Sequence, residues 1–314
     1  MIRIRSVAYQ YIVKDAPTRI PKPVIIPANN LSKLTNMDFS VFIQETATIE
    51  SIRAIGLQGL LSSLESRKEL MTHKDIFRIV TGLCRLDVIH NNGILQLLLE
   101  CFDARMSSLM AHEIALMAVE LSACTRRLGK TSYADAKQSV IMVLEFLVDQ
   151  FKKKIDAASP RDLAYMLSAV ADMGLTDAEL IEVIGNSASM QIGLFHGPDL
   201  ADLWIALDVL GADHQRFFAS SVPHLTNRIS LLHDKQIITL VGVVSRAFLR
   251  EIADVSRITR SRLIERLVTE LETRPLQDIT HGWQNFEGSL KNLGIEEKVP
   301  RAIRFYRTIA ASLI

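Results

Sequence analysis

The chain has 314 residues, enough for two ordinary domains or one elongated array, with 48% apolar and only 6% aromatic residues. Abundant Leu, Ile, Ala and Val with 14 glycines favour helix over sheet, and no apolar run approaches the roughly 18–20 residues that span a bilayer. A formal net charge of +1, from 36 basic and 35 acidic residues, excludes a uniformly basic nucleic-acid sleeve.

Residues 1–15, MIRIRSVAYQYIVKD, carry Arg3, Arg5 and Lys14 before the first acid, Asp15. An Arg-bearing, acid-poor start resembles part of a mitochondrial presequence, with an ordinary basic terminus as the alternative. Pro17, Pro21, Pro23 and Pro27 follow; proline at this density blocks helix and favours an extended course. Residues 1–37 are therefore expected to form a basic, Pro-rich extended arm, and residues 38–314 an α-helical repeat array.

Within the array one phrase recurs: a polar anchor, an aliphatic residue, then apolar residues three, four and seven places beyond that aliphatic. Asp75-Ile76 leads to Ile79, Val80 and Leu83; Glu113-Ile114 to Met117, Ala118 and Leu121. Asp162-Leu163 leads to Met166, Leu167 and Val170, closing at Gly174; Asp199-Leu200 to Leu203, Trp204 and Leu207, closing at Gly211. Gln236-Ile237 leads to Leu240, Val241 and Val244, and a weaker copy runs from Asp278-Ile279 through Gly282 and Trp283 to Phe286. Asp38-Phe39, with Phe42 and Ile43, is a degenerate first copy. The steps between the six clear anchors are 38, 49, 37, 37 and 42 residues. The long step holds GKTSYADAKQS (129–139), expected as an enlarged turn, and the 42-residue step holds extra residues around Ala253–Ile258.

These offsets share one helical face. Ser159-Pro160 reads as N-cap and first helical residue, with Asp162 in the first turn, where a carboxylate meets the positive end of the helix dipole. Gly197-Pro198-Asp199 reads similarly. A second helix is expected after each first: Thr176 with Glu179 as a capping box opening 177–188, then Gln215–Ile229 and Ser256–Leu271. The expected fold is all-α: an α-solenoid of about six to seven antiparallel helix pairs with a ~37-residue repeat, in which stacking buries faces that one pair alone would expose.

The spacing and the phrase resemble the heptatricopeptide and octotricopeptide class, and the helical region of FAST-kinase-like and RAP-domain proteins. That resemblance covers about residues 38–314 and implies an organellar, mostly mitochondrial, protein acting on RNA. The chain departs from it in lacking a RAP domain: Pro300–Ile314 reads as a helix, so no nuclease-like activity is carried over. The W-x2-L-G-x2-Y phrase of TPR repeats is absent.

Chemistry is sparse. There is no Gly-rich phosphate cradle, and His112-Glu113 begins an H-E-x-x-H whose fourth position is Leu116. Cys84, Cys101 and Cys124 are isolated, which reads as small buried hydrophobes in a reducing compartment. His196 and His233 precede helix starts. Gly56-Leu57-Gln58-Gly59 matches a bare GXXG within an apolar run, where helix packing explains it better than a KH loop. Trp204 and Trp283 fall on the core side, and Tyr165 is expected to be exposed. Lys152, Lys153 and Lys154 read as a charged helix end. The candidate RNA-phosphate contacts are Arg246, Arg250, Arg257, Arg260, Arg262, Arg266, Arg301, Arg304 and Arg307, because guanidinium suits phosphate. Residues 156–213, with ten acids against Arg161, are expected to repel RNA and to meet protein. No catalytic set, cofactor, metal, membrane or small-molecule substrate is expected. The expected function is a non-catalytic scaffold in the mitochondrial matrix, within a ribonucleoprotein such as a mitoribosome or an RNA-processing or editing complex, contacting protein subunits and RNA. The alternative is a protein-interaction scaffold with no nucleic-acid contact.

Overall fold

The computed structural model describes residues 31–127, 130–212, 214–249, 257–274 and 286–304. Most of the expected arm, Asp278–Trp283 of the last phrase, the insertion at 253–256 and residues 305–314 lie outside them. The described residues are helical, with no strand, and the chain divides into two compact units between Ala157 and Ala158.

In the N-terminal unit the first helices are α1 (Asn36–Val41, continued by a π-turn over Phe42–Thr46), α4 (His73–Arg85) and α6 (Ala111–Arg126). The second helices are α2 and α3 (Ile49–Ile55 and Leu57–Glu65, broken at Gly56), α5 (Asn92–Arg105) and α7 (Lys130–Lys152). First helices pack on first helices (α1 on α4, α4 on α6) and second on second (α3 on α5, α5 on α7). The C-terminal unit repeats the plan. Its first helices, α8 (Pro160–Met173), α10 (Gly197–Val209), α12 (Asp234–Leu249) and α14 (Phe286–Asn292), stack in order. So do its second helices, α9 (Ala178–Met190), α11 (Gln215–Arg228) and α13 (Arg257–Thr273).

Every anchor in the described residues is the third residue of a first helix: Asp38, Asp75, Glu113, Asp162, Asp199 and Gln236. From there the side chain can reach back to the main-chain N–H just outside the helix, which has no helical partner. Thr72 N–H donates to Asp75 (3.0 Å), Met110 N–H to Glu113 (2.9 Å), Ser159 N–H to Asp162 (2.9 Å) and His233 N–H to Gln236 (3.1 Å). These four anchors are thus buried but satisfied. Burial alone would raise the Asp75 carboxyl; hydrogen bonds from Ser40 and Thr72, with Arg78 nearby, hold it below its ordinary range. The apolar offsets of the five phrases from Asp75 to Gln236 are at most 1% exposed. A buried apolar residue also precedes each cap (Met71, Leu109, Ala158, Phe195, Leu232), matching the aliphatic beside the anchor as a hydrophobic staple does.

First helices end alike. Leu175 N–H bonds Val170 O (3.0 Å), Ala212 N–H bonds Leu207 O (2.9 Å) and Ile295 N–H bonds Leu290 O (3.0 Å), across Gly174, Gly211 and Gly294 at φ 67°, 66° and 67°. Asp87 takes that left-handed position after α4, at φ 55°.

Second helices run into 3-10 turns, and the carbonyls there are captured by the helix pair that follows. Arg67 donates to Leu31 O and Leu34 O (2.6 and 2.8 Å), Arg105 to Glu69 O (2.6 Å) and Lys154 to Ser107 O (2.8 Å). In the C-terminal unit Gln191 donates to Ala158 O (3.3 Å), Arg228 to Gly193 O (3.1 Å) and Arg274 to Ser230 O (2.6 Å) and Leu232 O. A cation at a helix end also complements the negative pole of the dipole.

Three local expectations are corrected. Residues 130–139 continue helix α7, which is 23 residues long, and do not form an enlarged turn; the buried stripe Val140, Val143, Leu144, Leu147 and Phe151 anchors a helix that propagates back through Ala, Lys and Gln. The cap of α9 is Asp177, accepting from Leu180 N–H (2.8 Å), one residue after Thr176. Tyr165 is buried, 8% exposed, because α8 is covered on more than its phrase face. Gly56 of the GXXG is a helix break at φ 75°.

The capture of turn carbonyls is testable at Arg67, which is 8% exposed and also lies 5.0 Å over the Phe39 ring. Arg67→Met should destabilise the chain by about 2–3 kcal/mol in urea unfolding, since it removes charge-assisted hydrogen bonds to two carbonyls, whereas Arg266→Met on the surface should fall within about 0.5 kcal/mol of the parent. Equal stabilities would contradict the role given to Arg67.

Candidate functional site

The nine candidate arginines have different fates. Arg246 forks onto Asp208, Nε at 3.0 Å and Nη2 at 2.5 Å, across the packing of α12 on α10; the hydrogen bond to Asp208 holds its guanidinium pKa up. Arg301 is tied to Glu272 by its main-chain N–H (2.9 Å) and donates its guanidinium to Glu272 O (2.8 Å). Arg304 donates to Pro300 O (3.4 Å). Arg260 is half-buried on α13. Arg262 and Arg266 are exposed, four residues apart on α13, and form no ion pair among the described residues. Arg257 opens α13, but its side chain, Arg250 and Arg307 lie outside the described structure. Arg262 and Arg266 are thus an exposed pair on α13, with Glu265 beside it.

The lysines at 152–154 divide similarly. Lys154 holds Ser107 O, Lys152 lies 3.9 Å from Asp149, and Lys153 is exposed.

Much of the acidic middle is internal. Asp162 and Asp199 are buried anchors and Asp208 holds Arg246. Asp199 lies 3.6 Å from Arg161, and burial raises its carboxyl. Asp202 accepts from Gln236 Nε2 at 2.7 Å. Burial first, then the Asp199 and Asp172 carboxylates, raise Asp202 to about 7, with Gln236 and Lys235 opposing. Trp204 offers no stacking face: it is fully buried, donates to Ser221 Oγ (2.9 Å) and meets Phe218 edge-on at 4.6 Å.

A second constellation joins α4, the loop after it, and α6. The Cys84 and Cys124 thiols, both fully buried, face each other where α4 packs on α6, and His90 lies against Cys124. Burial pushes Cys84 well above its ordinary value. Burial would raise Cys124 too, but the Cys84 thiol, the His90 imidazole and the Arg127 guanidinium overcome it and hold Cys124 at about 6. Glu120, 7% exposed, is raised to about 7 by burial, with Cys124 adding and Arg127 opposing. Glu120 Oε2 and both His90 ring nitrogens are buried without a hydrogen-bond partner among the described residues. Arg127 itself is fixed, donating to Cys84 O (2.8 Å) and Asp87 (2.6 Å). Sequence reasoning treated the thiols as inert; the one available signal was their 40-residue separation, near one repeat, which sets them on adjacent first helices. Among the described residues no three His, Cys, Asp or Glu side chains converge as a metal site requires, and no helix is long and apolar enough to cross a membrane.

In comparisons with known proteins, no family model and no curated protein matches the chain.

The Asp202 environment predicts a pH effect. A carboxyl raised in the fold contributes stability that is fully present below its unfolded value, about 3.9, and lost as pH rises through about 7. Asp202→Asn, which keeps an acceptor for Gln236, should match the parent near pH 4 and exceed it at pH 8 in urea midpoint. An equal difference at both pH values would contradict the buried neutral carboxyl.

Proposed function

We propose that the chain is an α-solenoid with a repeat of about 37 residues, acting as a non-catalytic scaffold subunit of a mitochondrial ribonucleoprotein in the matrix. The observation that carries this reading is the recurrence of one construction among the described residues: a third-residue anchor, a buried apolar face and a base or, at Gln191, an amide holding a turn carbonyl. Stacks of this kind offer long surfaces for other chains. The resemblance to the heptatricopeptide and octotricopeptide class supplies the compartment and the RNA.

RNA contact is assigned to Arg262 and Arg266, which are exposed and form no ion pair among the described residues. Protein partners take the remaining surface. A protein-only scaffold is the second reading, favoured by Arg246 and Arg301 being held by Asp208 and Glu272.

Binding of the full chain to a labelled single-stranded RNA, titrated over salt, separates the two. Each phosphate contact on a single strand contributes about 0.7 to the slope of log affinity against log salt. Arg262→Glu with Arg266→Glu should weaken binding and lower that slope by about 1.4. No binding by the parent chain at low salt would remove the RNA contact and leave the protein-only scaffold.

A further inference from the structure

The Cys84, Cys124, His90 and Glu120 cluster is not explained by packing. Two small thiols suit a core, but a core has no use for an imidazole and a carboxyl with unpaired buried atoms beside them, since each such atom costs free energy. A nucleophilic sulfur, a second sulfur facing it and a proton-carrying ring are instead the parts of a thiol–disulfide couple. We propose that Cys84 and Cys124 are a redox pair that closes to a disulfide across the α4–α6 interface when the chain meets a hydroperoxide. The proposal is independent of whether the chain binds RNA.

The chemistry balances with hydrogen peroxide as oxidant. As the Cys124 sulfur attacks one peroxide oxygen and breaks the O–O bond, its thiol proton, directed at Leu121 O (3.2 Å), passes to the neighbouring His90 ring. Sulfur becomes a sulfenic acid, and the departing oxygen takes the proton from His90 and leaves as water. The Cys84 thiol then attacks the Cys124 sulfur and displaces the hydroxyl group, which leaves as a second water with the Cys84 proton, handed over through Glu120. Two thiols and one peroxide thus yield one disulfide and two waters. Cys124 is the attacking sulfur because its neighbours acidify it, and Cys84, kept protonated by burial, is the resolving one. Both thiols are fully buried, so their oxidation requires a local opening of the packing around them. Cys101, buried alone on α5 with its thiol raised by burial, has no partner sulfur and serves as the internal control.

The test treats the full native chain with hydrogen peroxide at pH 7, followed by non-reducing peptide mapping and intact mass. The expected result is the loss of two hydrogens, a single link joining the peptides of Cys84 and Cys124, and reversal by dithiothreitol. Cys84→Ser should trap a sulfenic acid at Cys124, read with dimedone, while Cys124→Ser gives no link and Cys101→Ser leaves the link intact. His90→Ala should slow Cys124 oxidation at pH 7 about two- to threefold, as the gain in nucleophilicity partly offsets the loss of thiolate. The proposal is overturned if the folded chain keeps both thiols free under peroxide, if the link involves Cys101, or if it forms only after denaturation.

Discussion

Helix ends leave main-chain carbonyls outside the helical ladder, and a side chain further along the chain supplies a hydrogen bond to those in the turns here. Arg67, Arg105 and Lys154 do this in one unit, and Gln191, Arg228 and Arg274 in the other. The Arg105, Lys154, Arg228 and Arg274 contacts tie a pair to its predecessor within one unit by charge-assisted hydrogen bonds, stronger than neutral ones. The same contact positions the turn that leads into the next first helix, whose cap and third-residue anchor then set its direction. Packing of first helix on first helix, and second on second, follows from these two polar junctions as much as from the apolar face between them.

This constraint changes how the charges of the chain are read. Sequence order groups the basic residues and the acids into runs, and runs invite a surface interpretation. In the fold, Arg246 and Asp208 neutralise one another, Arg274 lies across a turn, and Asp162 and Asp199 sit inside helix starts. What reaches solvent as uncompensated charge is far smaller than the composition of either run implies. Arg262 and Arg266 stand out because α13 presents them exposed and without an ion pair among the described residues.

The thiol cluster follows from the same stacking. First helices one repeat apart are neighbours, so side chains near equivalent positions meet even though forty residues separate them. Cys84 and Cys124 meet in this way, and the loop after α4 closes over them with His90, while Arg127 is held by Cys84 O and Asp87. The polar groups there lie in a low dielectric, where their mutual effects on protonation are large.

The sequence by itself determined the helical class, the position of each first helix and its buried face, because those depend on local hydrogen bonding and on a 3.6-residue period. Ser159 and Asp162, or Gly174 and Gly211, state their roles within a few residues of themselves. It misjudged residues 130–139, where weak local signals yielded to the apolar stripe that follows, and Tyr165, whose burial depends on what covers α8. Only the tertiary structure decided which arginines are engaged, which acids are buried and which thiols face each other. Most of those outcomes, such as Arg246 on Asp208, Asp202 on Gln236 and Cys84 beside Cys124, join residues roughly 30 to 50 positions apart, whose partners are chosen by stacking geometry rather than by anything written in the neighbouring sequence.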